Sequence, residues 1–388
     1  MAKLYFGTSG WSYEEWVGIF YKHSEGKLRY YSSVFNTVEM DSSFYAFPNI
    51  KTIETLSRVL PAGFKMSLKL PNVITHKRLL GKMGSIKEDL DRFLSILEPL
   101  RRRGKLGVIL VQLPPGLSYD YELLKKFLMN LDYDFNYAIE FRHLSWLKDD
   151  IFNLLRDFNV AYTIVDEPLL PPITVITSDF TYIRWHGKGS RPWYNYWYKE
   201  EELKPWIPKI KELSDKVDVI YGYFNNHFRA YAVENCLKLM LMLGLLDERR
   251  KRILEEVGKN IISPKVTVKF QKVEPKDVEG KSVLELLLML SNEDRVRRGV
   301  KISRDEVSIM AMEKTIEAKI KDYILTIDPE EKILMHDCAD WNRVAPQKML
   351  CKHFIRLFTL LPEDKAKEIL KDILLDRDSW SFRLYTEQ

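Results

Sequence analysis

GVILVQLPPGLSYDYELLKKFLMNLDYDFNYAIEFRH (107–143) reads as a strand, a helix and a second strand. The opening run, GVILVQLPP, is apolar almost throughout, as a strand buried on both faces requires. YELLKKFLMNL repeats apolar residues at three-to-four spacing, the pattern of a helix packed along one side. YAIEFRH returns to a short apolar run and then turns polar. The same alternation extends outward in both directions. LYFGTSGW (4–11), TVEMDSSFY (37–45) and FKMSLKLP (64–71) precede it, and VAYTIVDEP (160–168), TYIRWHGK (181–188) and VIYGYFNNH (219–227) follow. Eight short strands mostly alternating with helices over about 240 residues predict an α/β chain whose first part closes into a (β/α)8 TIM-like barrel. A doubly wound open sheet is the alternative.

Each run ends in polar or unusual residues. In chain order these are Ser9 and Trp11; Glu39 and Asp41; Lys69; Gln112; Glu140, Arg142 and His143; Asp166 and Glu167; Arg184 and His186; Asn225, Asn226 and His227. In a barrel these ends meet at one rim, where the active sites of the fold lie. Carboxylates and imidazoles grouped with cations suit phosphoryl chemistry, with acids holding a divalent metal or activating water and Arg and Lys neutralising phosphate oxygens. On that reading Glu39, Glu140, Asp166 and His186 are catalytic and hold Mg2+ or Mn2+ at the rim or activate water. Lys69, Arg142 and Arg184 bind phosphate, and Asn225 touches the substrate. The competing expectation is a buried ion-pair network around Glu140 and Arg142 that ties the rim together. RPWYNYWYKEEELKPW (191–206) interleaves aromatics with a cation, and Trp193 and Trp197 are candidates for stacking bases.

Seven words of this sequence resemble, in order, the YecE-like family known as domain of unknown function 72. They are GTSGWSYEEWVGIFY, LRYYSSVFNTVEMDSSFY, FKMSLKLPNVITH, VQLPPG, IEFRH, YIRWHG and YGYFNNH, spread over residues 3–243. The resemblance implies a TIM barrel and leaves the activity open. Asp41 stands where that family more often has Asn. At the level of fold alone, the rim resembles the endonuclease IV class of barrels, whose Glu, His and Asp ligands at strand ends hold metal.

The second half carries its own motif. HDCADWNRVAPQKMLCKH (336–353) sets His336 and Cys338 two apart, then Cys351 and His353 two apart, with twelve residues between the pairs. These are four ligands of the kind Zn2+ takes in a closed structural site. The first pair ends the apolar run KILM, where residues two apart on a strand share a face; the second opens a helical pattern, FIRLFTLL. VSIMAMEK, TIEAKIKD, YILTID and KILMHD read as strands, and SWSFRLY as an edge strand. The motif resembles the SWIM zinc finger, Cys-x-Cys followed by Cys-x-His before a helix, with His336 replacing the first Cys. That resemblance implies a module that binds nucleic acid or protein. The expected organisation is a barrel over 1–243, a connector over 244–304 and a smaller α+β zinc-binding (SWIM-like) domain over 305–388.

Composition narrows the class. At 388 residues the chain is long for one domain, and 46% hydrophobic with 30% charged residues is ordinary for a globular protein. A net charge of +5 is compatible with nucleic acid. Three cysteines exclude a disulfide framework and favour a reducing setting. There is no run of 18 or more apolar residues and no signal segment at the start, so the expectation is a cytoplasmic protein with no membrane partner. Together these features predict a nucleic-acid-processing protein, a metal-assisted phosphodiesterase or nuclease acting on DNA before RNA, in repair. A non-catalytic nucleic-acid-binding or scaffold protein, with a protein partner at the zinc domain, is one alternative. A sugar or phosphate isomerase or hydrolase is another.

Overall fold

All eight apolar runs become strands. The computed structural model describes residues 2–189, 194–262, 273–377 and 379–384. In it β1 (Lys3–Thr8), β2 (Thr37–Met40), β3 (Lys65–Lys69), β4 (Leu106–Gln112), β5 (Tyr137–Glu140), β6 (Ala161–Asp166), β7 (Phe180–Trp185) and β8 (Val219–Phe224) form one parallel sheet. Neighbours pair in sequence order from β2 to β8, and β8 pairs with β1. One bridge, Ser9 to Glu39, links β1 to β2 and nearly closes the barrel.

Side chains make up for the short ladder at that seam. Asn36 lies along β1 like an added piece of strand, its amide oxygen accepting from Phe6 N at 3.3 Å and its nitrogen donating to Leu4 O at 2.9 Å. The Tyr31 hydroxyl accepts from Thr8 N at 2.9 Å and donates to Thr37 O at 3.0 Å. Gly7 makes room for this approach, since a Cβ there would stand 2.2 Å from Thr37 O and 2.9 Å from the Tyr31 hydroxyl.

Strand alternation sends every second residue inward. Tyr5, Val108, Leu110, Ala138, Ala161, Phe180, Tyr182, Tyr221 and Tyr223 fill the interior. Tyrosine is tolerated at such depth when its hydroxyl is satisfied. The Tyr223 hydroxyl lies 2.7 Å from Thr37 Oγ1 and 2.8 Å from Ser67 Oγ. Outside the sheet pack α1 (Lys27–Val34), α2 (Ile50–Val59), α3 (Lys87–Arg102), α4 (Tyr121–Leu128), α5 (Asp149–Asp157), α6 (Glu200–Leu203), α7 (Trp206–Ser214) and α8 (Tyr231–Met242). Asn49 and Asp120 cap α2 and α4, accepting from Lys51 N at 2.9 Å and Leu123 N at 3.1 Å.

The alternation breaks once. No helix separates β6 from β7; residues 167–179 run as irregular chain. Pro168, Pro171 and Pro172 remove the donors a helix would need there. Thr177 supplies ladder bonds instead, its Oγ1 accepting from Tyr162 N and donating to Val160 O, each at 2.7 Å.

The expected connector over 244–304 is not a separate segment, because the chain divides into compact units at 1–264 and 265–388. α9 (Glu248–Ile262) belongs to the barrel unit: Ile253, Leu254, Val257 and Ile261 join its core, and Arg249 donates to Ser33 O at 2.8 Å. In the second unit, α10 (Pro275–Val278), α11 (Val283–Met289) and α12 (Glu293–Val300) precede an antiparallel run of β9 (Val307–Met312), β10 (Ile316–Ile320), β11 (Tyr323–Asp328) and β12 (Ile333–His336). β13 (Ser381–Leu384) adds to β12 in parallel as the edge strand expected from SWSFRLY. α13 (Ala339–Val344), α14 (Lys352–Phe358) and α15 (Glu363–Leu375) share a core with this sheet. Among the described residues, no helix is long and apolar enough to cross a membrane.

Candidate functional site

Arg184 roofs the barrel interior. It lies two residues beyond Tyr182 on β7, so it points inward, and it is fully buried. Its Nη2 donates to Glu39 Oε1 and its Nη1 to Glu140 Oε2, both at 2.7 Å. Glu39 also accepts from Ser9 Oγ at 2.8 Å and from the Tyr182 hydroxyl at 2.6 Å. Both carboxylates share the inward parity, Glu39 following Thr37 and Glu140 following Ala138. Buried charges persist only when paired, and here they are. Burial pushes Glu140 up, but Arg142 and Arg184 outweigh it and hold the carboxyl well below its ordinary range. Glu39 is raised by burial against the pull of Arg184. The expected ion-pair network exists.

A second tier lies nearer solvent. Lys69 Nζ pairs with Asp41 Oδ1 at 2.8 Å, and Asp41, with 24% of its side chain exposed, is the most accessible carboxylate of the network. Arg142 reaches Glu140 through Nη2 and Glu167 Oε2 through Nη1, the latter at 2.5 Å. His186 Nε2 faces Arg142 Nη2 at 3.2 Å and Arg184 Nη1 at 3.4 Å, with Glu140 Oε1 at 3.5 Å. Burial and then the Arg142 charge lower His186 to about 3, so the imidazole is neutral. Its Nδ1 lies 3.0 Å from the Asn225 amide. His76 is also lowered, by burial first and then by Lys69 and Arg142. Lys69, His76, Arg142 and Asn225 thus gather at the strand ends beside paired carboxylates.

The structure relocates two expected site residues. Asp166 ends β6 with outward parity and turns away from the network: its Oδ2 accepts from Trp206 Nε1 at 3.1 Å, and Lys188 stands 3.7 Å from Oδ1. The inward position belongs to Glu167, whose side chain is fully buried. Pro168 restrains the residue before it to extended backbone, which carries strand parity one residue past β6; that signal was in the sequence. Glu167 is raised to about 7, by burial first and then by Glu140, against Arg142. Trp197 props its loop on α8, donating from Nε1 to Glu234 Oε2 at 2.8 Å and stacking on Tyr231 at 5.6 Å and 6°. Trp193 lies outside the described residues.

An aromatic wall was missed. Tyr13 stacks on His227 at 4.6 Å and 6°, and His227 on Tyr194 at 5.2 Å and 22°. Tyr13 is raised by burial and then by the Asp41 charge, and its hydroxyl donates to Ser9 O at 2.8 Å, which sets this stack at the rim. Phe44 packs edge-on against His76 at 4.9 Å and against Tyr45, which is 77% exposed.

In the second unit, His336, Cys338, Cys351 and His353 are all buried and bring their ligand atoms within 4.8 Å of one another. β12 ends at His336, and its Nδ1 lies 2.7 Å from Ile324 O, leaving Nε2 toward the cluster, 3.0 Å from His353 Nδ1. Cys338 and Cys351 are the N-caps of α13 and α14, and Trp341 N donates to Cys338 Sγ at 3.2 Å. Helix N-termini favour thiolates. Hydrogen bonding from Cys351 draws the Cys338 thiol far down, while burial pushes Cys351 up. A tetrahedral zinc site spaces its donors roughly 3.3–3.8 Å apart, and this donor set, with His336 fixed by a backbone carbonyl, fits such an ion. Between the pairs the chain forms helix α13 and a 3-10 turn over Ala345–Gln347. Trp341 is fully buried over the cluster, 4.6 Å from Phe354, with Nε1 donating to Arg383 O at 2.7 Å.

A nearly closed barrel of eight parallel strands with charged strand ends at one mouth, followed in the chain by a separate unit with a His2Cys2 cluster, defines a TIM-barrel protein carrying a candidate metal-binding module. More narrowly, residues 5–257 match the family described as "Protein of unknown function DUF72", and the chain belongs to that family. It is similar to the UPF0759 protein YunF of Bacillus subtilis, 28% identical over 270 residues that cover 63% of this chain and 95% of YunF. The UPF0759 protein YecE of Escherichia coli K12 is 28% identical over 141 residues, 36% of this chain and 48% of YecE. A crystal structure of a DUF72 family protein from Thermotoga maritima aligns with a TM-score of 0.58 at 33% identity, over 62% of this chain and 99% of that one. The family match ends before the second unit.

Proposed function

We propose that the barrel mouth binds and processes the phosphodiester of nucleic acid, DNA before RNA, in repair. The observation that carries this is the meeting of two sets of side chains at the barrel mouth: Lys69, His76 and Arg142 supply cationic and hydrogen-bonding groups, and Tyr13, Tyr194 and Tyr45 supply rings, with His227 stacked against Tyr13 and Tyr194. Phosphate favours the first set and a base or sugar face the second. Arg184, expected to bind phosphate, has no solvent exposure and instead holds Glu39 and Glu140 in place, while Lys69 and Arg142 meet the ligand. A divalent ion at the rim competes with Arg184 for those two carboxylates. A Mg2+ or Mn2+ that accompanies the substrate phosphate would find its oxygen ligand at Asp41, in keeping with the few carboxylates such ions need beside phosphate.

On the same reading the second unit is a SWIM-like zinc module, with His336 in place of the first Cys, that adds affinity for nucleic acid or docks a protein. The test incubates the full chain with labelled single-stranded, duplex, abasic and branched DNA, and with RNA, in Mg2+, Mn2+ or EDTA. Lys69→Gln/Arg142→Gln serves as the comparison. Turnover lost in that variant supports the reading. Salt-sensitive binding without turnover replaces it with a binding protein, and the absence of both returns the mouth to small metabolites.

A further inference from the structure

Arg142 is shared between two carboxylates of unequal standing. Glu140 has a second cation, Arg184 Nη1, at 2.7 Å. Glu167 has none: among the described residues its one ion pair is the contact with Arg142 at 2.5 Å, and its Oε1 has no hydrogen-bond partner. Glu167 is fully buried at the side chain, whereas Arg142 keeps 12% exposure. A ligand oxyanion arriving at the mouth therefore reaches Arg142 and leaves Glu167 without its counter-charge.

We propose that an oxyanion ligand takes Arg142 from Glu167, which then accepts a proton, so that binding is coupled to proton uptake. This rests on the reading of the mouth as a phosphate-binding site. A buried carboxylate deprived of its cation neutralises rather than remaining ionised. No bond of the ligand breaks, and the proton comes from solvent to a Glu167 oxygen. The other groups around Glu167 do not absorb the change. Glu140 on β5 retains Arg184. Arg184 on β7 stays charged between Glu39 and Glu140. His186, at about 3, is neutral before and after. Tyr162 on β6 is raised by burial and holds its proton. His76 faces Lys69 and Arg142 and is lowered, so any protonation there is confined to acid pH. Glu167 itself, near 7, is mostly ionised at pH 8 before the ligand arrives.

The test is calorimetric titration of the full chain at pH 8 with inorganic sulfate and with thymidylyl-thymidine, in buffers of differing ionisation enthalpy. Neither probe titrates near that pH. The expected result is uptake of about one proton per ligand, with affinity falling up to about tenfold per pH unit above 7.5. Glu167→Gln should bind without uptake and with a flat pH profile. Binding by the wild type with no proton uptake overturns the proposal and leaves the phosphate-binding mouth standing, as does uptake that persists in Glu167→Gln. Failure of the wild type to bind either probe overturns both. Should Glu167→Gln not fold, the proton count of the wild type still decides.

Discussion

The barrel rim and the His/Cys cluster each bury ionisable groups, and they neutralise them from opposite sources. At the rim Glu39 and Glu140 face Arg184 within the same sheet, and Asp41 and Glu167 face Lys69 and Arg142 one tier out. Every buried charge there has a counter-charge encoded in the chain. The cluster gathers two imidazoles and two sulfurs, all donors of lone pairs, a set that could hold a metal ion such as zinc. The rim therefore carries its own counter-charges, whereas a counter-charge for the cluster would have to come from a bound ion.

The largest effect should come from removing the outside partner. Structural zinc sites contribute on the order of 10 kcal/mol of coupled binding and folding. Cys351→Ser should release close to one zinc per chain and unfold the unit over 265–388. The barrel, with a core of its own, stays folded. Elemental analysis paired with limited proteolysis reads both. Full zinc retention, or no change on chelation of the wild type, would break the comparison at its stronger end.

At the rim, Arg184→Met should cost about 3–5 kcal/mol, because it strands two buried carboxylates. Since the rim carries its own counter-charges, neutralising them together should recover much of that loss. Thermal unfolding of Arg184→Met beside Arg184→Met/Glu39→Gln/Glu140→Gln measures the recovery. Equal instability of the two variants would mean that Arg184 acts by shape and hydrogen bonding rather than by charge.

How much of this was legible follows from what each residue needs. Barrel strands are buried on both faces and so stand out as apolar runs, and their polar ends mark the rim without further information. Choosing Glu167 over Asp166 required carrying strand parity past β6, with Pro168 as the cue. Ser282 and Glu285 form a capping box at the start of α11, a pattern readable in the sequence that marks the segment over 274–300 as structured rather than linking. By contrast α13 is capped by Cys338, a residue type that carries no capping signal. The roles of Asn36 and Tyr31 are set by partners in β1 and β2 and leave no local trace. The four cluster ligands were legible because spacing alone brings them together on a strand end and a helix start.

The smallest effect concerns protons at the rim, where two shifts oppose each other. His186 falls from 6.5 to about 3 on folding. The unfolded chain takes up a proton there that the folded chain refuses, so this group lowers stability as pH drops from 6.5. Glu167 rises from 4.5 to about 7. The folded chain holds that proton where the unfolded chain has lost it, so this group raises stability as pH drops from 7 toward 4.5. Between pH 6.5 and 4.5 the two slopes are each close to one proton and of opposite sign. Glu167→Gln removes one of them. Its unfolding free energy should then decline relative to wild type by up to about 1.4 kcal/mol per pH unit below 6.5. Denaturant titrations of the two proteins at pH 6.5, 5.75 and 5.0 test this as a difference, in which the rim carboxylates they share cancel. Parallel profiles would mean that Glu167 and His186 do not balance one another, and the rim would lose its claim to internal compensation just where it meets the ligand.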